Sequence, residues 1–433
     1  MGYFYCGTGR EDITPKVGTC LFGYRPELYC EGIHDHIFVT AAAFSDGKES
    51  FVLVTCDVCE IDCDLADRIR EETAALCGIP KSAVIISAIH THSAPNVAGL
   101  EGWGGIDEEY SLSVFLPAIK KASCDAFRSM KKAVVGVSST ESRIGVNRRE
   151  IKREGYVALG QNPWGVFDPE MTVIAVKGEE DAKGIINLIH YGCHCTAAGM
   201  NLEISRDWSG VMVDRMEKET GVLTAYWQGC CGDTGPRLTN GLTVGLGDIK
   251  YAEELGAAAG MDAVRAYSQI KSYISPEIKL FTGTVALPLS PLPPLDEIEE
   301  RIKSCENPES LVNIDRLRYN HLVCVAEALK EGKDYGDRFT FETSIPVIGD
   351  IAFMPLPFEV FSETGLKLKR FANGYGHVLT LSNSNGTNLY LPPRGEILNG
   401  GYEVECFLYG HVFNFTNEAE INIVKEYLRI LGA

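Results

Sequence analysis

The chain has 433 residues, 45% apolar and 23% charged, and sets 40 basic against 59 acidic side chains for a formal charge of −19. That is the composition of an ordinary soluble globular protein, with no run near the ~18 apolar residues of a spanning helix. The acidic balance, without a Lys/Arg stripe, argues against general nucleic-acid binding and against stable membrane association.

The start, Met1 to Pro15, lacks a cationic segment followed by an apolar one, so the expectation is a cytoplasmic protein without an export signal. Its 15 cysteines, an odd count, then read as mostly reduced, buried thiols. The nearest approach to a ligand pair is CDVC, Cys56 to Cys59, for which small core residues are the alternative.

In chain order, Phe51–Thr55 is the first buried-strand pattern, followed by Asp57. A helix is predicted over Asp62–Cys77, with an acidic start and Gly78 as its stop. The strand Ala83–Ile89 leads into SAIHTHSAP, where a period of two would send His90 and His92 to one face. Neutral imidazole is a common zinc ligand, and this spacing lets one ring bind metal while the other does acid/base work. Thr172–Val176 and Ile185–Ile189 are further strands; the second ends at His190 and a loop containing His194. Asp207 either joins a metal site or caps the helix Trp208–Thr220, which ends at Gly221. After the strand Leu223–Trp227, the loop WQGCCGDTGPR brings Asp233, Thr234 and Gly235, small enough for backbone N–H groups to approach an oxyanion.

Helices are predicted at Ile249–Lys271, Leu295–Cys305 and Ile314–Leu329, and the Pro-rich Leu287–Leu295 reads as a turn into a helical insertion at 290–335. The strands Ile351–Met354 and Val378–Leu381 close the series, with Glu359 at a strand-to-helix junction. Tyr390, Arg394 and Tyr402 stand in a Gly/Pro-rich loop. The alternation predicts an α/β fold of mixed sheets with flanking helices, residues 1–433 forming one large catalytic domain. Polar residues gather after strand ends, as in a shared crevice.

The phrases ISAIHTHSAP, GVNRR, DPEMTVIAV, HYGCHCT with ISRDWSG, QGCCGDTGPR, PFEVFSETG and LYLPPRGE occur in this order along most of the chain. As a set they resemble the catalytic domain of neutral/alkaline non-lysosomal ceramidases. The resemblance implies a zinc-dependent amidohydrolase whose Zn²⁺ is held by His90, His194, Glu359 and Tyr390. It places His92 beside the metal and makes Arg148 a substrate-binding arginine.

Two departures stand out. Family ceramidases carry a serine in a GDxSP loop where this chain has Gly235, and the full-length members add an export signal and a C-terminal immunoglobulin-like domain not seen here. The mechanism expected is therefore attack by a zinc-activated water on an amide or ester carbonyl. His92 serves as general base or acid, Arg148 orients the substrate, and the backbone of Asp233 to Gly235 faces the oxyanion, with Thr234 beside it. A small polar N-acyl or O-acyl compound is the expected substrate, since ceramide lies in membranes. The alternatives are an inactive zinc-binding or ligand-sensing protein and a zinc enzyme abstracting a proton next to a carbonyl.

Overall fold

Alternation along the strands decides the layering. In Phe38–Ser45, Val39, Ala41 and Ala43 turn to one core while Ala42 and Phe44 turn to another; Ser50–Cys56 splits in the same way, Val52 and Val54 against Phe51 and Leu53. Successive strand residues face opposite sides, so strands apolar at both parities must be covered on both faces.

The computed structural model describes residues 3–100, 102–238 and 245–433 and shows that covering. An eight-stranded mixed sheet runs in the order Thr224–Gln228, Gly184–Tyr191, Glu170–Gly178, Lys131–Glu141, Tyr5–Asp12, Phe38–Ser45, Ser50–Cys56, Val84–Ala88. Its first and last pairs are parallel and the rest antiparallel. One face carries the helices Cys63–Cys77 and Leu116–Arg128 at one end and Asp207–Thr220 and Ile249–Ser268 at the other. The other face packs through Phe44, Leu53, Val176 and Trp227 onto Ile278, Ile348, Phe353 and Leu379 of a second, five-stranded sheet. That sheet is backed in turn by the helices Ser362–Phe371 and Ala419–Leu431, giving four layers.

Two sets of hydrogen bonds bring distant strand ends together. The eight-stranded sheet curls so that its edges approach: Thr55 Oγ1 donates to Tyr226 O (2.7 Å) and Gln228 Nε2 to Ile89 O (3.0 Å). The loop after His377–Leu381 then docks on the edge strand Val84–Ala88, with Ala88 N–H bonded to Asn383 O (3.0 Å) and Asn385 N–H to Ile86 O (2.8 Å).

All seven expected strands are present, and the helices stop at Gly78 and Gly221, both left-handed at φ 70° and 66°. The mixed α/β expectation therefore holds. The Pro-rich stretch differs: the strand Ile278–Ser290 runs through Pro288, paired with Arg338, and turns only after Ser290. The helices Leu295–Lys303 and Asn313–Lys330 then pack on each other through Ile298, Leu322 and Val325. Among the described residues no disulfide is formed, and no helix is long and apolar enough to cross a membrane.

Candidate metal centre

The strand Val84–Ala88 ends two residues before His90, whose backbone is left-handed at φ 67°. That conformation is strained for a residue with a side chain. It is held by the N–H groups of Ile89 and His90, bonded to Cys56 O and Val58 O (both 3.0 Å). A turn, rather than strand alternation, therefore brings the two imidazoles together. The Nε2 atoms of His90 and His92 lie 3.3 Å apart, with the rings edge-on at 4.9 Å between centroids. Gly23, at φ 124°, makes room for His92: a Cβ there would fall 2.4 Å from His92 Nδ1.

His194 follows Gly184–Tyr191 and is fixed from three sides. Its Nδ1 lies against Cys231 O (2.8 Å) and Thr234 O (3.1 Å), and Trp208 Nε1 donates to its carbonyl (2.9 Å). Asp207 does not join the histidines as a ligand. Its carboxylate accepts from Ala197 N, Ala198 N and Trp208 N at 2.7–3.0 Å, pinning the loop behind His194 to the helix start. His190 points elsewhere, donating from Nε2 to Thr380 O (2.9 Å).

Glu359 opens the short strand Glu359–Val360, paired in parallel with Tyr390–Leu391 so that Glu359 and Tyr390 are register partners. Glu359 Oε2 is 3.2 Å from His90 Nε2 and 2.9 Å from His194 Nε2. His90 Nδ1 faces Cys59 O at 2.9 Å. Because Nδ1 of both His90 and His194 must donate to carbonyls, both Nε2 lone pairs are left pointing at a carboxylate oxygen. Three electron-rich atoms buried within 4.8 Å of one another repel unless a cation sits among them, and His194 Nε2 and Glu359 Oε2 have no hydrogen-bond partner. The donor set fits zinc: two neutral imidazoles oriented by carbonyls, and one carboxylate.

The electrostatics agree. Burial, with Arg148 and His90 adding to it, pushes His194 down to about 3, and burial drives His92 well below the usual imidazole range, so both are neutral.

Tyr390 lines the same pocket as His90, His92 and Glu359, and its hydroxyl accepts from Arg148 Nη2 (2.8 Å). Arg148 is buried, with Nε on Glu403 Oε1 (2.8 Å), while Arg149 Nη1 takes Glu403 Oε2 (2.7 Å). Asp233 is a clamp: Oδ1 accepts from Ser362 N (2.8 Å) and Oγ (2.9 Å), and Oδ2 from Asn147 Nδ2 (3.1 Å). Thr234 Oγ1 bonds Ser362 Oγ (2.7 Å), and Thr234–Pro236 pairs with Gly145–Ile151. Of the N–H groups at this loop, those of Gly232 and Thr234 bond Val360 O (2.9 Å) and Cys231 O (2.8 Å). The loop supplies carbonyls that orient His194. Gly235 lies beside Arg148, where a Cβ would meet Arg148 Cβ at 3.6 Å.

Three participants escaped sequence reasoning. Glu60 is buried beside Glu359; burial and the Glu359 charge push it well above the carboxylate range, so it keeps its proton and donates a hydrogen bond to Glu359. Its signal was a carboxylate directly after the strand-end CDVC. Glu403 follows Tyr402 in the helix Tyr402–Tyr409, and Trp103 stands among glycines; neither sits in a pattern that marks chemistry. Arg394 is exposed and reaches only Glu418 (3.9 Å).

Residues 4–245 match the family described as neutral/alkaline non-lysosomal ceramidase, N-terminal. That span holds His90, His92, Arg148, His194 and Asp233, whereas Glu359 and Tyr390 lie beyond it. Among solved structures, neutral ceramidase from Pseudomonas aeruginosa superposes with a TM-score of 0.75 at 18% identity, over 99% of this chain and 74% of that one. A ceramidase complexed with C2 gives 0.71 at 18% identity, over 98% and 74%. No curated protein sequence matches the chain.

Proposed function

We propose that this chain, which belongs to the neutral/alkaline non-lysosomal ceramidase family, is a zinc-dependent hydrolase of an amide or ester bond in a small polar acyl compound. The observation that carries the reading is the convergence of His90 Nε2, His194 Nε2 and Glu359 Oε2, with both Nδ1 atoms fixed on backbone carbonyls. Tyr390, register-paired with Glu359, completes the set of residues that would hold the ion. When bound, zinc supplies Lewis acidity to polarise the acyl carbonyl and acidify a water.

The remaining work falls to this chain's own groups. His92 is neutral, adjoins the ligand histidine and lines the pocket. It accepts the proton of the attacking water at Nε2 and returns it to the leaving nitrogen or oxygen. Arg148 holds the Tyr390 hydroxyl in place, itself aimed by Glu403. Asp233, joined to Ser362 and Asn147, keeps the loop under His194 rigid. Ligands drawn from positions 90 to 390 favour residues 1–433 as one catalytic unit.

The test is metal analysis of the purified chain followed by turnover of a chromogenic acyl panel. One zinc per chain is expected, with activity lost to a chelator and restored by zinc. His90→Ala should lose both ion and turnover; undiminished hydrolysis in a metal-free preparation would reject the reading. Gly235, in place of the family's serine, favours a second reading, a zinc-binding sensor, which a tightly bound and unreacted ligand would support.

A further inference from the structure

We infer that the site accepts only short acyl groups, of acetyl size, carried on a larger amine or alcohol, and that Trp103 sets the limit; this rests on the hydrolase reading above. The space beside His90, His92 and Glu359 is about 20 Å³. A single water needs roughly 10–15 Å³ on this measure, so a methyl-sized group fits there and a hydrocarbon chain does not.

The walls are aromatic and fixed. Trp103 is 3% exposed and meets Tyr402 edge-on at 6.4 Å between ring centroids, and Tyr402 meets Tyr390 at 5.8 Å. Trp103 N–H bonds Leu100 O (2.8 Å), and Asn313 N–H bonds Gly102 O (3.2 Å), which ties this wall to the helix Asn313–Lys330. A side chain at Gly102 would strike Asn313 O at 2.7 Å, so the contact is close on both sides.

Leu100 is a wall of this pocket and also of a neighbouring cavity of about 450 Å³, lined by Pro26, Gly99, Gly104, Gly105 and Val312. That volume suits a small molecule. Its walls mix the apolar side chains of Pro26, Leu100, Leu311 and Val312 with glycine backbone, and so suit the larger remainder of the substrate beyond the scissile bond. In the reaction the water oxygen bonds to the acyl carbon, the C–N or C–O bond breaks, one water proton goes to the leaving group and the second is released as the new carboxylic acid ionises, giving a short carboxylate and the amine or alcohol.

The experiment compares p-nitrophenyl acetate, butyrate and octanoate on the zinc-loaded full chain, with acetate and octanoate binding measured in parallel by calorimetry. A kcat/KM at least tenfold lower for butyrate than for acetate, and at least a hundredfold lower for octanoate, is expected. Trp103→Ala should raise the octanoate-to-acetate ratio tenfold or more with zinc content unchanged, and Trp103→Leu, in case the alanine variant misfolds, should raise it by less. A flat or rising profile with chain length, or an unaltered ratio in a folded Trp103 variant, overturns the inference. If no ester turns over, the hydrolase reading fails separately. Tighter binding of acetate than octanoate would then still support the pocket limit, and the reverse order would overturn it.

Discussion

His90 occupies a backbone region that costs a side-chain-bearing residue ~1–3 kcal/mol, and it does so where its Nε2 meets Glu359. Its neighbours supply the constraint. Asp207, also left-handed at φ 57°, binds three N–H groups around the loop that carries His194. Removing that carboxylate leaves those donors buried and loosens the loop. Asp207→Ala should therefore weaken metal binding by about 10–100-fold, read by competition with a chromogenic chelator, and lower stability by ~2 kcal/mol or more.

Gly235 behaves oppositely. Its φ is not left-handed and an added Cβ would make ordinary contact with Arg148. Gly235→Ser should fold within ~1 kcal/mol of the parent and bind metal as the parent does, so the glycine is not demanded by the backbone. Urea denaturation and metal analysis check both points.

His190 offers a pH test. Burial, with Lys369 nearby, pushes it down to about 4, while an unfolded chain titrates near 6.5. Below pH 6.5 the unfolded state takes a proton the folded state refuses, so stability is lost as pH falls from about 6.5 through 4. Relative to His190→Gln, which retains a donor for Thr380 O, the parent should lose ~2 kcal/mol between pH 7 and pH 4.5. Parallel denaturant titrations at the two pH values would show a constant difference if His190 carries no such linkage.

Among the elements, the strand Tyr5–Asp12 explains why part of the fold is hard to read. Its sequence, YCGTGRED, has two glycines and little apolar content, so nothing in it announces a strand of the large sheet. Its reason lies in packing: a Cβ on Gly7 would fall 2.2 Å from Ala126 O and one on Gly9 2.1 Å from Ala122 O, both on the helix Leu116–Arg128. The helix rests directly on the strand backbone. Gly9→Ala should destabilise the protein by about 3 kcal/mol, measured by urea denaturation, with zinc content unchanged in whatever remains folded. The helices Cys63–Cys77 and Asp207–Thr220 were legible because their stops are local, each a glycine in the left-handed conformation. Pro288 misled for the complementary reason. A proline reads as a break, yet here Pro288 sits within a long strand and its carbonyl accepts Thr416 N–H (3.1 Å).

Across the whole molecule, the seven strands, the glycine-stopped helices and the strand-end polar residues could be read from the chain because each depends on neighbours within a few positions. The identities of His90, His194 and Glu359 were legible in the same sense: they follow strand ends, in phrases resembling a family. Their convergence was not legible. It required the eight-stranded sheet to curl until Gln228 reached Ile89, and the loop at Asn383 to dock on Val84–Ala88 from the other sheet. Those are contacts across more than a hundred residues of chain. So were the functions of Glu60, Glu403 and Trp103, which have no local pattern and gain their roles from the side chains facing them. Sequence periodicity determined which residues would be buried and where the helices would stop, because burial and backbone propensity act locally. Only the tertiary structure decided that three electron-rich atoms share one buried point and that the space beside them is the size of a methyl group, because both are set by how the layers pack.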